Sequence, residues 1–122
     1  MKNSILVGAL LVSSLSFGQK KNETSAAVEF KNKYAPAMQS GDMEIAKKTI
    51  LSAKEYIDLA AEHPDTKESA KTLYYKGEIY VAIADLADRK ADSDLSAMVT
   101  DAFLQQAVES IKKAHDDKKW SS

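Results

Sequence analysis

The sequence predicts an all-α fold from its composition, its apolar periodicity and the placement of its turn residues. Only four glycines and two prolines occur among 122 residues, and alanine and charged residues are abundant, which is typical of helices. Apolar residues recur every three or four positions over long segments, the spacing of one helix face. Short polar links separate these segments. We therefore expect a single helical domain.

Length and charge restrict the classes of function. A chain of 122 residues is long enough for one domain. Its formal net charge of −1 provides no basic excess of the kind that nucleic acids attract, so we expect no nucleic-acid partner. The sequence contains no cysteine, which excludes disulfides and a lipid-modified cysteine.

Residues 1–18 have the organisation of a secretory signal peptide. Lys2 precedes an apolar run over residues 5–15, and Ser16 and Gly18 are small residues in front of a cleavage point. We expect cleavage after Gly18, a flexible polar stretch over residues 19–25, and a periplasmic or secreted product with no membrane association. The ending SFGQ resembles signal-peptide ends common in Bacteroidota.

A tight turn joins the first two expected helices. The first runs over about residues 25–38 and bends or ends just before Pro36, because an interior proline removes a backbone hydrogen bond. The second runs over about residues 43–62 with Asp42 as its N-cap. It stops before Pro64, since the residue that precedes a proline is disfavoured in helical geometry.

Two further helices follow the second proline. Asp65, with Glu68 three positions later, matches a capping box, which predicts that the third helix begins at Asp65. We expect this helix to end near Lys90. Ser93 is the expected N-cap of a fourth helix, whose apolar face extends over residues 95–114. The helical domain is thus expected over residues 26–118, with a polar tail over residues 119–122.

The third helix is expected to lie at the centre of the fold. Its segment 73–87 carries apolar or small side chains along two lines, so neighbouring helices must cover it on two sides. Gly77 lies in the middle, although glycine costs a helix about 1 kcal/mol relative to alanine. We expect Gly77 to mark a close helix crossing, because the missing Cβ lets another helix approach.

Matched spacings relate the first helix pair to the second. In the first helix of each pair, Phe30, Tyr34 and Ala37 correspond to Leu73, Gly77 and Tyr80; in the second, Ala46, Ile50 and Ala53 correspond to Ala107, Ile111 and Ala114. Such recurrence is typical of helical repeats. The segment GDMEIAKKTILSA resembles the second helix of a tetratricopeptide repeat (TPR). The resemblance implies two antiparallel TPR-like hairpins, four helices in all, in a right-handed stack.

The second pair departs from the family pattern. Gly77 lies 30 positions before Ala107, whereas Tyr34 lies 12 positions before Ala46. A plain four-helix bundle with chance spacing is therefore an alternative architecture. Two functions follow: an exported repeat scaffold that binds a protein or peptide, or a small exported bundle with a structural or ligand-holding role.

The TPR resemblance also implies a location for the partner. Members of this family bind proteins or peptides along the first helix of each pair. Carried over to this sequence, that groove is lined by Lys31, Asn32, Ala35, Lys71, Tyr75, Glu78 and Ala82. Some members clamp a terminal carboxylate with asparagines, but Tyr74 and Glu78 occupy those places here, so that ligand is not expected.

No residue pattern indicates catalysis. His63 and His115 lie far apart in the sequence, in a turn and in a charged segment. Asp88, Asp92 and Asp94 are clustered, but the central glycine and final glutamate of a calcium loop do not accompany them. We expect no enzymatic activity, no metal site and no cofactor.

The fourth helix is apolar on more than one side. One line of side chains can face the third helix, and Leu104, Val108 and Ile111 form a second line for which the sequence offers no partner. Helical repeats normally need about three units for stability. We therefore expect either a homodimer through this helix or a chain that continues into further repeats.

Overall fold

The computed structural model describes residues 21–116, and this part of the chain contains helices and no strand. The predicted all-α class is confirmed. Five helices follow one another: α1 over residues 21–40, α2 over Met43–Glu62, α3 over Ala70–Lys90, α4 over Ser93–Met98 and α5 over Asp101–Asp116. The expected signal peptide and the expected tail over residues 119–122 lie outside the described residues.

Helix α1 continues through Pro36 instead of ending there. A π-helical stretch, Glu29–Tyr34, precedes an α-helical stretch, Ala35–Ser40, and the Ala35 N–H donates to the carbonyl of Phe30. A proline ring clashes with the carbonyl four residues before it in an α-helix. The wider π turn relieves this clash, so the chain stays helical. The stretch expected to be flexible is helical from residue 21 onward.

The turn between α1 and α2 has the expected chemistry. Gly41 adopts a left-handed conformation with φ of 80°, which glycine tolerates without a Cβ clash. The Asp42 carboxylate accepts a hydrogen bond of 3.2 Å from the N–H of Ile45 and caps α2. Helix α2 begins and ends at the predicted residues.

The predicted start of the third helix is wrong. Ser69, not Asp65, is the N-cap of α3, and its Oγ accepts from the N–H of Thr72 at 3.4 Å. Residues 63–68 form a turn in which the buried Thr66 donates its hydroxyl to the Ala60 carbonyl at 2.5 Å. This bond ties the link to the end of α2.

Helix α3 is the central element, as the sequence predicts. One side buries Tyr75, Ile79 and Ile83 against the α1–α2 hairpin. The other side packs on α5, where the rings of Tyr80 and Phe103 stack with centroids 4.2 Å apart. Burial on two sides explains why α3 has the two apolar lines seen in the sequence.

Gly77 marks the predicted close crossing. A Cβ built on Gly77 would overlap the Cγ1 atom of Ile111 and lie 3.0 Å from the carbonyl oxygen of Ala107. Both residues belong to α5. The absence of a side chain at position 77 therefore sets the distance between α3 and α5.

The predicted fourth helix is interrupted. Asp92, not Ser93, caps α4, and its carboxylate accepts from the N–H of Leu95 at 3.0 Å. The chain leaves helical geometry at residues 99–100, and the Thr100 hydroxyl accepts from the N–H of Phe103 at 3.2 Å. Helix α5 thus begins with a cap of its own.

Side-chain contacts fix the directions of the helices. Glu23 of α1 contacts Thr72 of α3, and Phe30, later in α1, contacts Tyr75, later in α3. Helix α1 therefore runs parallel to α3. Asp58 of α2 contacts Tyr80 of α3, whereas Lys47, earlier in α2, contacts Asp92 just beyond the end of α3, so α2 runs antiparallel to α3. Helix α5 is also antiparallel to α3. Helix α5 packs more extensively on α3 than on any part of residues 29–62.

Candidate functional site

The residues that the TPR resemblance assigns to a partner groove lie on α1 and α3, and we call these seven residues the α1–α3 face. Phe30 and Lys31 of α1 contact Tyr75 of α3 at this face. Lys31 and Asn32 are exposed, and Ala35, Lys71, Glu78 and Ala82 are half-buried. Six of the seven side chains are thus at least partly exposed.

Tyr75 is the exception on this face. Only 4% of its surface is exposed, because its ring packs inside an aromatic cluster. The Phe30 ring meets it edge-on with centroids 6.3 Å apart, and the Tyr74 ring does so at 5.4 Å. Tyr75 therefore supports the α1–α3 face from below and does not present its ring to a ligand.

The π-helical stretch of α1 shapes the cluster. Within it, the rings of Phe30 and Tyr34 stack with centroids 5.7 Å apart and an interplanar angle of 12°. The Phe30 ring also contacts Tyr75 of α3. Turns of π-helix are rare and are frequently found at functional sites.

Lys31 is the principal charge above the cluster. Its Nζ lies 5.7 Å from the centroid of the Tyr75 ring, within range of a cation–π contact. Hydrogen bonding and electrostatic attraction to Tyr75 raise the pKa of Lys31 above its ordinary value. The ammonium group therefore stays protonated at neutral pH.

The residues predicted as an interface on the last helix do not share one environment. Leu104 and Val108 are 40% and 64% exposed. Ile111 is half-buried, because its side chain lies against Gly77 of α3. Ile111 thus connects the exposed line on α5 to the packed crossing beside it.

The sequence interpretation missed a polar cluster between α2, α3 and α5. The Tyr80 hydroxyl donates to the Asp58 carboxylate at 2.5 Å, and Lys54 pairs with the same carboxylate at 2.7 Å. The Nζ atoms of Lys54 and Lys76 each lie 5.6 Å from the centroid of the Tyr80 ring. Burial and, secondarily, the hydrogen bond to Asp58 raise the pKa of Tyr80 well above its ordinary value. The spacing of Lys54 and Asp58 by four residues is the one local signal of this cluster.

The acidic residues near the start of α4 form ion pairs instead of a metal cluster. Lys47 of α2 lies 2.8 Å from the Asp92 carboxylate and 3.2 Å from that of Asp94. Hydrogen bonding to Lys47 lowers the pKa of Asp92 below its ordinary value. Within residues 21–116 no group of three or more histidine or acidic side chains is arranged to hold a metal ion.

Comparison with known proteins gives no relative. No family model, curated protein or solved structure matches this chain. The function must therefore be argued from the residues themselves. In the part of the chain that the structure describes, no helix has the length and apolarity needed to cross a membrane.

Proposed function

We propose that this protein is an exported, non-catalytic scaffold that binds a protein or peptide through the α1–α3 face. The observation that carries the proposal is the arrangement of that face, where two parallel helices present accessible polar and charged side chains over a buried aromatic cluster. A rigid base with a mixed-charge rim is suited to recognising another polypeptide.

The packing of the helices favours this function over a closed bundle. A four-helix bundle surrounds one core with all four helices. Here α5 packs mainly on α3, and the first hairpin packs on the other side of α3. An arrangement in layers keeps the α1–α3 face open, which supports the scaffold and its likeness to a helical repeat.

Charge reversal on the α1–α3 face tests the binding function. The double variant Lys31→Glu with Glu78→Lys changes two accessible charges and keeps the net charge. Protein immobilised from the parent and from this variant would be exposed to the envelope fraction of the producing cells, and the bound proteins compared by mass spectrometry. We expect at least one protein that the parent retains and the variant does not.

A matched control uses the outer side of α2. The double variant Lys48→Glu with Glu55→Lys reverses two exposed charges away from the α1–α3 face. It should retain the same partner as the parent. Equal retention by all three proteins would contradict binding at the α1–α3 face, and circular dichroism would verify that each variant is folded.

Export is tested separately. Mass spectrometry of the protein recovered from the envelope should find an N-terminus at Gln19 or within a few residues of it, because residues 1–18 carry the basic, apolar and cleavage regions of a signal peptide. Recovery of a chain that retains Met1 would contradict the export part of the proposal.

A further inference from the structure

Helix α5 carries a second line of side chains that is largely exposed, although Ile111 in this line packs against Gly77 of α3. Asp101, Leu104, Val108, Ile111 and His115 follow one another at alternating spacings of three and four residues, the heptad spacing of a coiled-coil seam. Leu104 and Val108 are 40% and 64% exposed. We call this line the α5 seam.

The α5 seam borders the side of α5 that packs on α3, and its Ile111 contacts Gly77 of α3. That packing side buries Phe103, Ala107, Ser110 and Ala114. Single exposed apolar residues are common on protein surfaces. Two of them on a line with heptad spacing, beside a helix face that is already covered, indicate a site for another helix.

An exposed residue of α3 extends the apolar surface. Gly77 meets Ile111, which belongs to the α5 seam, whereas Tyr80 meets Phe103, which does not. The seam therefore lies on the Gly77 side of the α3–α5 contact. Val81 follows Gly77 by one helical turn on that side and is 46% exposed.

The charges along α5 indicate which kind of helix can pack on the α5 seam. On the seam side, Asp101 is negative at the start of α5, and Lys112 is positive near its end. Both side chains are exposed, and neither has an ion-pair partner among residues 21–116. A second helix that carries the same two charges and runs antiparallel to α5 would place its positive charge beside Asp101 and its negative charge beside Lys112.

We propose that two copies of this chain pair through their α5 seams as an antiparallel, twofold-symmetric homodimer. Leu104 of each copy packs against Val108 of the other, close to the symmetry axis. Asp101 of each copy then lies beside Lys112 of the other, so the ion pair forms twice. A parallel arrangement would instead bring the two Asp101 carboxylates together. The helix dipoles also favour the antiparallel direction.

The contact is small. Helix α5 has 16 residues and is therefore about 24 Å long. A single helix pair of this length lies at the lower end of interface sizes, where association is weak and reversible. We expect a monomer–dimer equilibrium with a dissociation constant in the micromolar range. The dimer leaves the α1–α3 face accessible and does not depend on the function proposed above.

Analytical ultracentrifugation of protein purified from cells that express the full chain tests the dimer. Sedimentation coefficients should rise between about 5 and about 200 µM, the range in which a weak interface is populated. Val108→Glu places an unpaired charge at the centre of the seam and should raise Kd by at least about tenfold. Glu109→Lys on the same helix lies off the seam and should leave Kd unchanged.

Charge swapping tests the antiparallel direction. Asp101→Lys or Lys112→Asp alone should raise Kd by about tenfold, because each puts like charges together twice. The double variant should recover the parent's Kd, and an equimolar mixture of the two single variants should also associate. These recoveries exclude misfolding as the cause of the losses.

Three results would overturn the proposal. The first is a monomer at every concentration, which would leave the seam to a different partner. The second is association that Val108→Glu does not weaken. The third is failure of the double variant and of the mixture to associate more tightly than the single variants.

Discussion

At the scale of single residues, Tyr80 connects three helices. It belongs to α3, donates its hydroxyl to Asp58 of α2 at 2.5 Å, and stacks on Phe103 of α5 with centroids 4.2 Å apart. Hydrogen bonds to charged groups typically stabilise a protein by about 1.5–3 kcal/mol. Tyr80 therefore contributes through its ring and through its hydroxyl.

Tyr80→Phe separates these contributions. The ring contacts remain, and we expect the free energy of unfolding at pH 7 to fall by about 1–2 kcal/mol, because the bond to a carboxylate is lost while Asp58 keeps Lys54. Urea denaturation monitored by circular dichroism measures the change.

The same variant has a predictable pH dependence. The pKa of Tyr80 in the folded protein is raised above its ordinary value of 10.0 by burial first and by Asp58 second. The folded protein therefore keeps the phenol proton where the unfolded chain releases it. This stabilisation is complete below about pH 10 and is lost as the pH rises further. Between pH 9 and about 11, Tyr80→Phe should lose less stability than the parent; an equal loss would show that Tyr80 does not titrate in this way.

Gly77 is the second residue with a testable role. Alanine is the better helix former by about 1 kcal/mol, so Gly77→Ala would stabilise a helix that faces solvent. In this protein the added Cβ would meet Ile111 and the Ala107 carbonyl. We expect a net destabilisation of about 1–3 kcal/mol, the usual cost of overpacking.

Two controls accompany that measurement. Asp88→Ala introduces alanine at an exposed position of the same helix and should change the free energy of unfolding by less than about 0.5 kcal/mol. In an Ile111→Ala background, where the clashing side chain is shortened, Gly77→Ala should lower the free energy of unfolding by less than it does in the parent protein. A stabilised Gly77→Ala protein would show that α5 does not approach α3 closely.

The two residues also show which contacts a sequence reveals. Gly77 interrupts an apolar line, and that local irregularity predicts a close crossing. The bond between Asp58 and Tyr80 joins residues 22 positions apart, and no periodicity within either helix records it. Tyr75 was expected to face a partner because of its repeat position, yet Phe30 from another helix packs against its ring, and no periodicity within α3 records that contact.

At the scale of helices, the ends were harder to predict than the helices themselves. Asp65 with Glu68 and Ser69 with Thr72 are both plausible helix starts; the structure uses the second, while Thr66 in the link bonds back to Ala60 of α2. The gap at residues 99–100 is equally local. Val99 and Phe103 keep the four-residue apolar spacing across it, so the pattern continues although the helix does not.

Alanine substitution of the two candidate caps tests the start of α3. Ser69→Ala should lower the free energy of unfolding by about 0.5–2 kcal/mol, because the Thr72 N–H loses its partner. Asp65→Ala should change it by less than about 0.5 kcal/mol, since Asp65 is exposed and lies in the turn. Denaturant titrations of both variants measure the difference. A larger loss of stability for Asp65→Ala than for Ser69→Ala would instead indicate that the helix begins at Asp65.

At the scale of the whole molecule, α3 is the element on which the others depend. Its side chains Ile79 and Ile83 are fully buried beneath the α1–α2 hairpin. Its other side carries α5. The two apolar lines of the sequence predict this central position. The sequence could not show that the predicted fourth helix is divided at residues 99–100, because the apolar spacing continues across the gap.

This arrangement predicts an order of local stability. Helix α5 is covered mainly by α3, whereas α3 is covered on two sides, so α5 can open while α1, α2 and α3 stay packed. Hydrogen exchange at low protein concentration should find lower opening free energies for amides in the middle of α5 than for amides in the middle of α3. Gly77→Ala should lower the values in α5 more than those in α2, because it affects only the α3–α5 contact directly. Raising the protein concentration should increase protection in α5 if the seam pairs with a second copy. Equal opening free energies in α5 and α3 would instead mean that the described helices unfold as one cooperative unit.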